Sequence, residues 1–299
     1  MTQLLQSGKL WEQVRSRTES AIAAGALHTI ATDHHTLKQG GLEFMVRVAL
    51  NLKRKALDKQ EQSTKPYSVP FNPFLPPDPD LTVAHISSTH LSVLNKFNVV
   101  ENHLLIVTRE FQHQERLLTL DDFEALWLCL GEYPSLGFYN GGAAAGASQQ
   151  HKHLHLVPLP LYPGESATPF DSLYASAPRE DRMHSLAQLP FLHCWCPLPS
   201  GLAGNSSTAA EQILSRYLEM LNLVGIQAVN GTDGDYQSAP YNLLLTRDWM
   251  FLVPRSQEYC ENISINALGF VGSLFVKEMS ELETVNRLGP LNLLKAVSR

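Results

Sequence analysis

The chain has 299 residues, of which 44% are apolar and 17% are charged, so it is long enough for a large hydrophobic core and differs from disordered and fibrous proteins. Its 23 Lys and Arg residues against 29 Asp and Glu residues give a formal net charge of −6, and no overall positive field attracts nucleic acid. We therefore predict no nucleic-acid partner, and any anionic ligand has to be held by local groups.

The sequence favours a soluble, cytoplasmic protein without a membrane partner. The charged residues Lys9, Glu12 and Arg15 come before any apolar signal region could develop. No uninterrupted apolar run approaches the roughly 18 residues that indicate a membrane-spanning helix. The four cysteines are too few and too irregularly spaced for a disulfide framework, which fits a reducing compartment.

The first half of the chain is predicted to contain two helices and two strands around a proline-rich crossing. In order, they are a helix over residues 9–24, a strand over 42–52, an irregular loop over 66–79, a buried strand over 103–108 and a helix over 119–131. The crossing is assigned to a loop because a proline has no N–H to give to a helix or a central strand.

The second half begins with a strand end, a glycine-rich loop and a second strand, all within residues 137–160. A helix near 208–224, two strands within 242–253 and an apolar segment over 266–277 follow. The stretch between them is rich in Pro, Ser, Gly and Ala and shows little periodicity. We predict an N-terminal region over 1–160, a long irregular connection over 161–208 and a C-terminal region over 209–299.

Three histidines, His151, His153 and His155, alternate with other residues in the second of these strands. Because successive side chains of a strand point to opposite faces, the three imidazoles are predicted to share one face. One histidine in such a place is usually a core or surface residue. Three side by side predict a functional site.

The loop before the histidines has the composition of an anion site. Gly141, Gly142 and Gly146 let the backbone approach a ligand closely, and Ser148 and Gln149 supply neutral donors. A plain hairpin connection would have the same glycine content. Joined to the histidine strand, the loop predicts a phosphate cradle beside a nucleophile.

Imidazole suits covalent transfer of a phosphoryl or nucleotidyl group, because its neutral nitrogen is nucleophilic at pH 7. Histidines at i and i+2 could instead chelate zinc or iron. The loop and strand carry no carboxylate and offer donors that suit an anion, so we assign no metal site there. His193, Cys194 and Cys196 lack a second cysteine pair, and we interpret them as buried core residues.

The segment HKHLHLV (151–157), preceded by Gly146 and Ser148, is similar to the signature of the histidine triad (HIT) superfamily. Other segments resemble one branch, the diadenosine tetraphosphate phosphorylases or ATP adenylyltransferases: NPFLPPDPDL (72–81), LNKFNVVENHLLIVTREFQHQ (94–114), GFYNGGAAAGASQQHKH (137–153), and YNLLLTRDWMFLVPRS with NALGFVGSLFVK (within 241–277). The resemblance covers most of the chain. It implies an α+β fold, a HIT-like antiparallel β-sheet flanked by helices, with N- and C-terminal extensions that complete one nucleotide site.

The resemblance also implies a reaction and its residues. His153 matches the nucleophile, which attacks diadenosine tetraphosphate, releases ATP and keeps AMP until inorganic phosphate takes it as ADP; the reverse reaction makes the dinucleotide. The His151 imidazole, on the same predicted face, is expected to hold the tautomer of His153 by hydrogen bonding, and His155 is expected to assist. The matching substrate-contacting positions are Lys55 (a looser match), Asn95, Lys96, Asn140, Gly146, Ala147, Ser148, Gln149, Asn266, Ala267, Leu268 and Lys277.

His155 departs from the family pattern, in which the phosphorylases carry Gln and hydrolytic HIT proteins carry His. A dinucleoside polyphosphate hydrolase that gives AMP is therefore an alternative, as are a non-catalytic dinucleotide sensor and a sugar-phosphate uridylyltransferase. The expected partners are small nucleotides and phosphate. No residue establishes a cofactor; any Mg²⁺ is expected to arrive with the polyphosphate. The oligomeric state is left open.

Overall fold

The structure is a computed structural model that describes residues 4–50, 71–164, 166–180, 182–199, 202 and 206–299. Within these ranges the elements, in chain order, are α1 (Leu10–Ala23), β1 (Thr32–Gln39), β2 (Leu42–Ala49), β3 (Thr82–His85), β4 (His90–Leu94), β5 (Leu104–Thr108), α2 (Leu120–Leu130), β6 (Ser135–Gly141), β7 (His153–Pro158), α3 (Asp171–Ser176), β8 (Cys194–Pro197), α4 (Ser206–Leu223), β9 (Ala228–Asn230), β10 (Asp235–Gln237), β11 (Tyr241–Leu245), β12 (Trp249–Pro254), β13 (Tyr259–Cys260), β14 (Ile263–Ser264), β15 (Ser273–Val276), α5 (Met279–Leu288) and α6 (Pro290–Val297). Short 3-10 helices span Ala143–Ala145 and Ala267–Val271.

An eight-stranded sheet in the order β3-β4-β5-β7-β6-β11-β12-β8 forms the centre of the fold. All neighbouring strands in it are antiparallel. The predicted α+β fold with an antiparallel sheet is confirmed. The histidine strand β7 lies between β5 and β6, where His153 pairs with Val107 and His155 pairs with both Leu105 and Phe138.

One face of this sheet, the back face, is covered by α1, α2 and α4. The apolar residues Phe123 and Leu126 of α2 and Ile213 and Tyr217 of α4 share a buried cluster with the inward residues of the strands. The approach of α2 is close: a Cβ on Gly137 of β6 would lie 2.7 Å from a methyl carbon of Leu126. The amphipathic pattern that predicts these helices therefore faces the sheet, as expected.

The opposite, front face carries the histidines and is partly covered by a second layer. A three-stranded sheet in the order β1-β2-β15, with β15 parallel to β2, packs there together with α5 and α6. Phe44 of β2 and Phe270 of the second 3-10 helix join a buried cluster with Phe138 and Phe251 of the large sheet. The N- and C-terminal parts of the chain thus build this layer together, beside the histidines.

The predicted elements agree with the structure in type, with shifts at their ends. The strand predicted over 42–52 ends at Ala49. Residues 66–70 of the proline-rich crossing lie outside the described residues, and residues 71–79 form the predicted irregular loop, with turns and isolated bridges only. The 161–208 segment contains α3 and β8, and β8 is an edge strand of the large sheet. The division into two regions and a connection remains a prediction. In the described residues, no helix combines the length and apolarity needed to cross a bilayer.

A buried ion pair lies behind the histidine strand. The side chain of Lys152, between His151 and His153, points to the back face and donates to Asp122 Oδ2 at 2.5 Å and to the Leu117 carbonyl at 2.9 Å. His90 Nε2 lies 3.1 Å from the other Asp122 oxygen. Burial alone would raise the pKa of Asp122, but Lys152 and His90 outweigh it, and that pKa lies below its usual value. Asp122 therefore carries the counter-charge for a buried lysine.

Replacing Asp122 by Asn should destabilise the fold by about 3–5 kcal/mol, because the Lys152 charge then stays buried without its partner. Urea unfolding at neutral pH measures this, with the neighbouring exposed Asp121→Asn as control. The double variant Asp122→Asn, Lys152→Met should recover much of the loss. Equal stability of the two single variants would contradict the assignment.

Candidate active site

His153 is held as a neutral nucleophile by its surroundings. It is 2% exposed, and burial lowers its pKa to about 4, so the ring is uncharged at neutral pH. Its Nδ1 lies 2.7 Å from the His151 carbonyl oxygen and must carry the proton to donate there. Nε2 then keeps its lone pair, and no described residue hydrogen-bonds to that nitrogen. This is the tautomer that attack by Nε2 requires.

His151 supports this arrangement through its backbone, whereas the sequence suggested its imidazole. The ring is held elsewhere: Nε2 donates to the Thr108 carbonyl at 2.8 Å, and Nδ1 accepts from Asn72 Nδ2 at 2.9 Å. The ring of Phe74 lies 5.5 Å from those of both His151 and His153, between centroids. His151 precedes β7, so only His153 and His155 belong to the regular strand.

His155 lies next to His153, with ring centroids 4.9 Å apart, and stacks on Phe138 at 4.4 Å. Its Nδ1 is 3.0 Å from Nε2 of His103, the residue that precedes the neighbouring strand β5. Asn95 Nδ2 in turn lies 3.2 Å from Nδ1 of His103. The predicted site residue Asn95 is therefore connected to the histidine strand through His103, for which the sequence predicts no role.

The glycine-rich loop turns back immediately before the histidines. Gly142 has φ +91° and Gly146 has φ +93°, conformations that favour glycine. A Cβ on Gly146 would lie 3.0 Å from Cβ of Asn266, so the loop packs closely on the C-terminal region. Four loop amides donate to loop carbonyls: those of Gly142, Ala145, Gly146 and Ala147. These four amides are thus not available to the predicted anion cradle, and other donors have to supply it.

A network of hydrogen bonds holds the glycine-rich loop in place. It is formed by the side chains of Asn140, Asn242 and Arg255. Asn140 Oδ1 accepts from Asn242 Nδ2 at 2.8 Å and from the Ala267 amide at 3.1 Å. Asn242 Nδ2 also donates to the Ala145 carbonyl at 2.9 Å. Arg255 Nη1 donates to Asn242 Oδ1 at 2.5 Å, which sets the orientation of that amide. The Asn140 amide group consequently turns its Nδ2 toward His155, at 3.5 Å from Nε2.

The structure brings most of the predicted site residues together, but not all. Asn266 caps the 3-10 helix by accepting from the Leu268 amide at 3.0 Å, and Ala267 touches Asn140. Ser148 is exposed and Gln149 half-buried, beyond the loop on the way to the histidines.

The three predicted lysines are less closely tied to the site. The Lys96 ammonium lies 5.4 Å from the centre of the Phe97 ring. Lys277 is exposed directly after β15, and its backbone amide donates to Glu281. Among the described residues, it makes no contact with the histidines. Lys55 falls outside the described residues.

Several residues of the site gave no signal in the sequence. Gln114 accepts from the His153 amide at 2.9 Å and donates to the carbonyls of Asn140 and His153 at 2.9 and 3.1 Å, so it joins the loop strand to the histidine strand. His103 appeared only as the start of an apolar run, and Arg255 only as a charge after a strand. The described residues contain no group of three or more His, Cys, Asp or Glu side chains placed to hold a metal ion.

The buried histidines should make stability depend on pH. The pKa of His153 in the folded chain is about 4, against 6.5 for an ordinary histidine, so its full contribution to folding is present above pH 6.5 and is lost as the pH falls toward 4. The free energy of unfolding should therefore fall by a few kcal/mol over this interval. Urea titrations at several pH values measure it. His153→Asn should flatten the dependence, whereas His184→Asn should leave it; an unchanged slope in His153→Asn would contradict the assignment.

Comparisons with known proteins agree with this geometry. A family model described as the Ap4A phosphorylase N-terminal domain matches residues 1–176, and one described as the ATP adenylyltransferase C-terminal domain matches residues 187–299. The chain is 27% identical over 290 residues to Protein APA1 of Saccharomyces cerevisiae, which covers 88% of this chain and 85% of that protein. It is 29% identical over 244 residues to diadenosine 5′,5‴-P1,P4-tetraphosphate phosphorylase 2 of the same yeast, covering 72% and 71%.

Solved structures show the same fold. The crystal structure of yeast Ap4A phosphorylase Apa2 in complex with AMP superposes with a TM-score of 0.76 at 24% identity, over 100% of this chain and 98% of that one. The complex of the same enzyme with Ap4A gives a TM-score of 0.76 at 23% identity, over 99% and 98%. The predicted HIT-like fold is confirmed by this likeness. Because the first family model alone covers more than half of the sequence, the chain belongs to the Ap4A phosphorylase family.

Proposed function

We propose that the protein phosphorolyses diadenosine tetraphosphate with inorganic phosphate to ATP and ADP, reversibly, as a nucleotidyltransferase that acts through an adenylated His153. The observation that carries the proposal is the neutral His153 ring, whose Nδ1 donates to the His151 carbonyl and whose Nε2 forms no hydrogen bond with any described residue. The yeast comparisons support it, since one relative is named a diadenosine tetraphosphate phosphorylase, and yeast Ap4A phosphorylase Apa2 was crystallised with AMP and with Ap4A.

The first step is an attack of His153 Nε2 on the α-phosphorus of one adenosine end. The bond from that phosphorus to the bridging oxygen breaks, ATP leaves with the bond electrons, and AMP stays on the nitrogen. In the second step an oxygen of inorganic phosphate attacks the same phosphorus, the P–N bond breaks, and ADP forms while His153 regains its lone pair. Nδ1 keeps its proton on the His151 carbonyl throughout.

The substrate-contacting roles are part of the proposal. Asn140 presents an N–H toward His155, and Gly146, Ala147, Ser148 and Gln149 are proposed to line the approach to the histidines. The Asn140 amide and the Ser148 and Gln149 side chains would stabilise negative charge on the nonbridging oxygens. Asn266, Ala267 and Leu268 form the wall on which the loop packs. Asn95 is tied to the histidines, while Lys96, Lys277 and Lys55 are proposed to meet the outer phosphates.

Hydrolysis to ATP and AMP is a second candidate, and the observation that favours it is the His155 imidazole 4.9 Å from that of His153. An imidazole at this position could take a proton from water, whereas the amide of the glutamine that the phosphorylases carry there could not. A cytoplasmic location also belongs to the proposal, because all four cysteines are free thiols.

Product analysis tests the reaction class. With diadenosine tetraphosphate as substrate, ATP and ADP should appear only when phosphate is present, and their amounts should be equal. Ion-exchange chromatography of the nucleotides measures this. ATP and AMP without phosphate would establish the hydrolase instead, and no turnover under either condition would favour the sensor.

Removing the nucleophile tests the residue. His153→Ala should lower turnover by at least about a thousandfold, because the covalent route is lost, and calorimetry should still detect nucleotide binding. The control is His184→Ala, at a histidine near β8, which should keep wild-type turnover. Full activity in His153→Ala would remove His153 from the mechanism.

A further inference from the structure

Four side chains, Asn95, His103, His155 and Asn140, form a chain of contacts beside His153, and the proposed mechanism gives His103 no role. Asn95 Nδ2 lies 3.2 Å from His103 Nδ1, His103 Nε2 lies 3.0 Å from His155 Nδ1, and His155 Nε2 lies 3.5 Å from Asn140 Nδ2. The chain crosses the front face from the turn after β4, past the residue before β5, to β7 and β6.

Both histidines of the chain are neutral at physiological pH. Burial, with His153 as the second cause, lowers the pKa of His103 to about 3 and that of His155 well below its ordinary value. A neutral imidazole carries a hydrogen on one ring nitrogen and a lone pair on the other. Each ring therefore carries one hydrogen, on either Nδ1 or Nε2, and the three contacts determine on which nitrogen it lies.

The two ends of the chain are both donors. Asn140 Oδ1 already accepts from Asn242 and from the Ala267 amide, which leaves Nδ2 to face His155. Asn95 likewise turns its Nδ2 to His103. If both outer ring nitrogens accepted these bonds, both inner nitrogens would carry hydrogens and face each other at 3.0 Å. The chain thus brings four N–H donors to only two lone pairs, so two donors are left over.

The three distances show which of the contacts is not a hydrogen bond. The 3.0 and 3.2 Å contacts lie within or at the edge of the ordinary range for a nitrogen donor, whereas the 3.5 Å contact between His155 and Asn140 lies beyond it. His103 Nδ1 consequently accepts from Asn95, and His103 Nε2 carries the hydrogen and donates it to His155 Nδ1. His155 is left with its own hydrogen on Nε2, next to Nδ2 of Asn140, and neither N–H has another partner among the described residues.

We propose that His103 is a positioning residue that holds His155 as a permanent Nε2–H donor, so that His155 and Asn140 together bind one anionic oxygen of the substrate. The two surplus N–H groups, on His155 and Asn140, find their acceptor when that oxygen arrives. This inference rests on the proposed function for the identity of the anion, a phosphate of the nucleotide.

The tautomer has a consequence for the choice between phosphate and water. Water must lose a proton when it attacks, and a His155 Nε2 that already carries hydrogen has no lone pair to take that proton. Inorganic phosphate is an anion at neutral pH and needs no base. The His103 contact therefore protects the adenylated His153 from hydrolysis while phosphorolysis proceeds.

Nitrogen-15 NMR of the histidine rings, on the full chain without substrate, tests the tautomer directly. The His155 signals should show hydrogen on Nε2 and a bare Nδ1, and this pattern should persist across neutral pH. In His103→Leu the preference should be lost, because Nδ1 no longer receives a hydrogen bond. In His103→Gln it should survive, since the amide N–H can replace that of the imidazole.

Product ratios provide the second readout. His103→Leu should raise AMP relative to ADP, at fixed phosphate, by about tenfold or more, since a base is now present for water, and His103→Gln should keep the wild-type ratio. The matched control is His193→Leu: His193 is also buried, at 5% exposure against 7% for His103, but lies in the core between β8 and the C-terminal layer.

The outcomes separate this inference from the proposed function. Hydrogen on His155 Nδ1 in the wild type would overturn the inference whatever the activity, and so would an unchanged product ratio in His103→Leu. If the wild type turned over no dinucleotide, the proposed function would fail while the tautomer result would still stand or fall by itself. Should His103→Leu not fold, the wild-type spectrum and His103→Gln decide.

Discussion

The site depends on the burial of one arginine. Arg255 is fully buried, and its donors end on the carbonyls of Val297, Gln257, Ile265 and Ala145 and on the side chain of Asn242. Among the described residues, no carboxylate forms a salt bridge with this guanidinium. Carbonyl dipoles from several segments stabilise its charge instead. Burial lowers the pKa of Arg255 to about 10, so the guanidinium remains charged at neutral pH. A buried charge without such partners would be costly, so these segments have to converge for the fold to form.

This convergence explains why two regions that match separate family models form a single site. The loop and histidines come from the first region, and Asn242, Arg255 and the 3-10 helix after Asn266 come from the second. Asn140 lies at the boundary and accepts hydrogen bonds from the second region while it faces the histidines. The acidity of the whole molecule is then no obstacle to the proposed function, in which neutral groups beside the histidines and three lysines farther out meet the polyphosphate.

The sequence predicts the parts of the site that follow from local pattern. Alternation places His153 and His155 on one face, and the glycines mark the loop. Contacts across long stretches of sequence leave no such trace: Gln114 reaches His153 over 39 positions, and Asn242 reaches Asn140 over 102. Arg255 looked like an interruption after a strand, because burial of a charge cannot be inferred from composition. The His151 ring was expected to orient its neighbour, yet a backbone carbonyl does so, a distinction that only backbone geometry reveals.

Asn140 and Asn242 are also direct cross-strand partners in the pairing of β6 with β11. Since side chains alternate between faces, a slip of this pairing by a single residue would set Asn140 beside Tyr241 or Leu243, whose side chains point to the back face. Such a slip would turn the apolar residues of one strand away from the back-face core and would break the amide network at the same time. The core and the site therefore require the same strand register at the junction of the two regions, so a molecule with its core correctly packed also has these two asparagines in place.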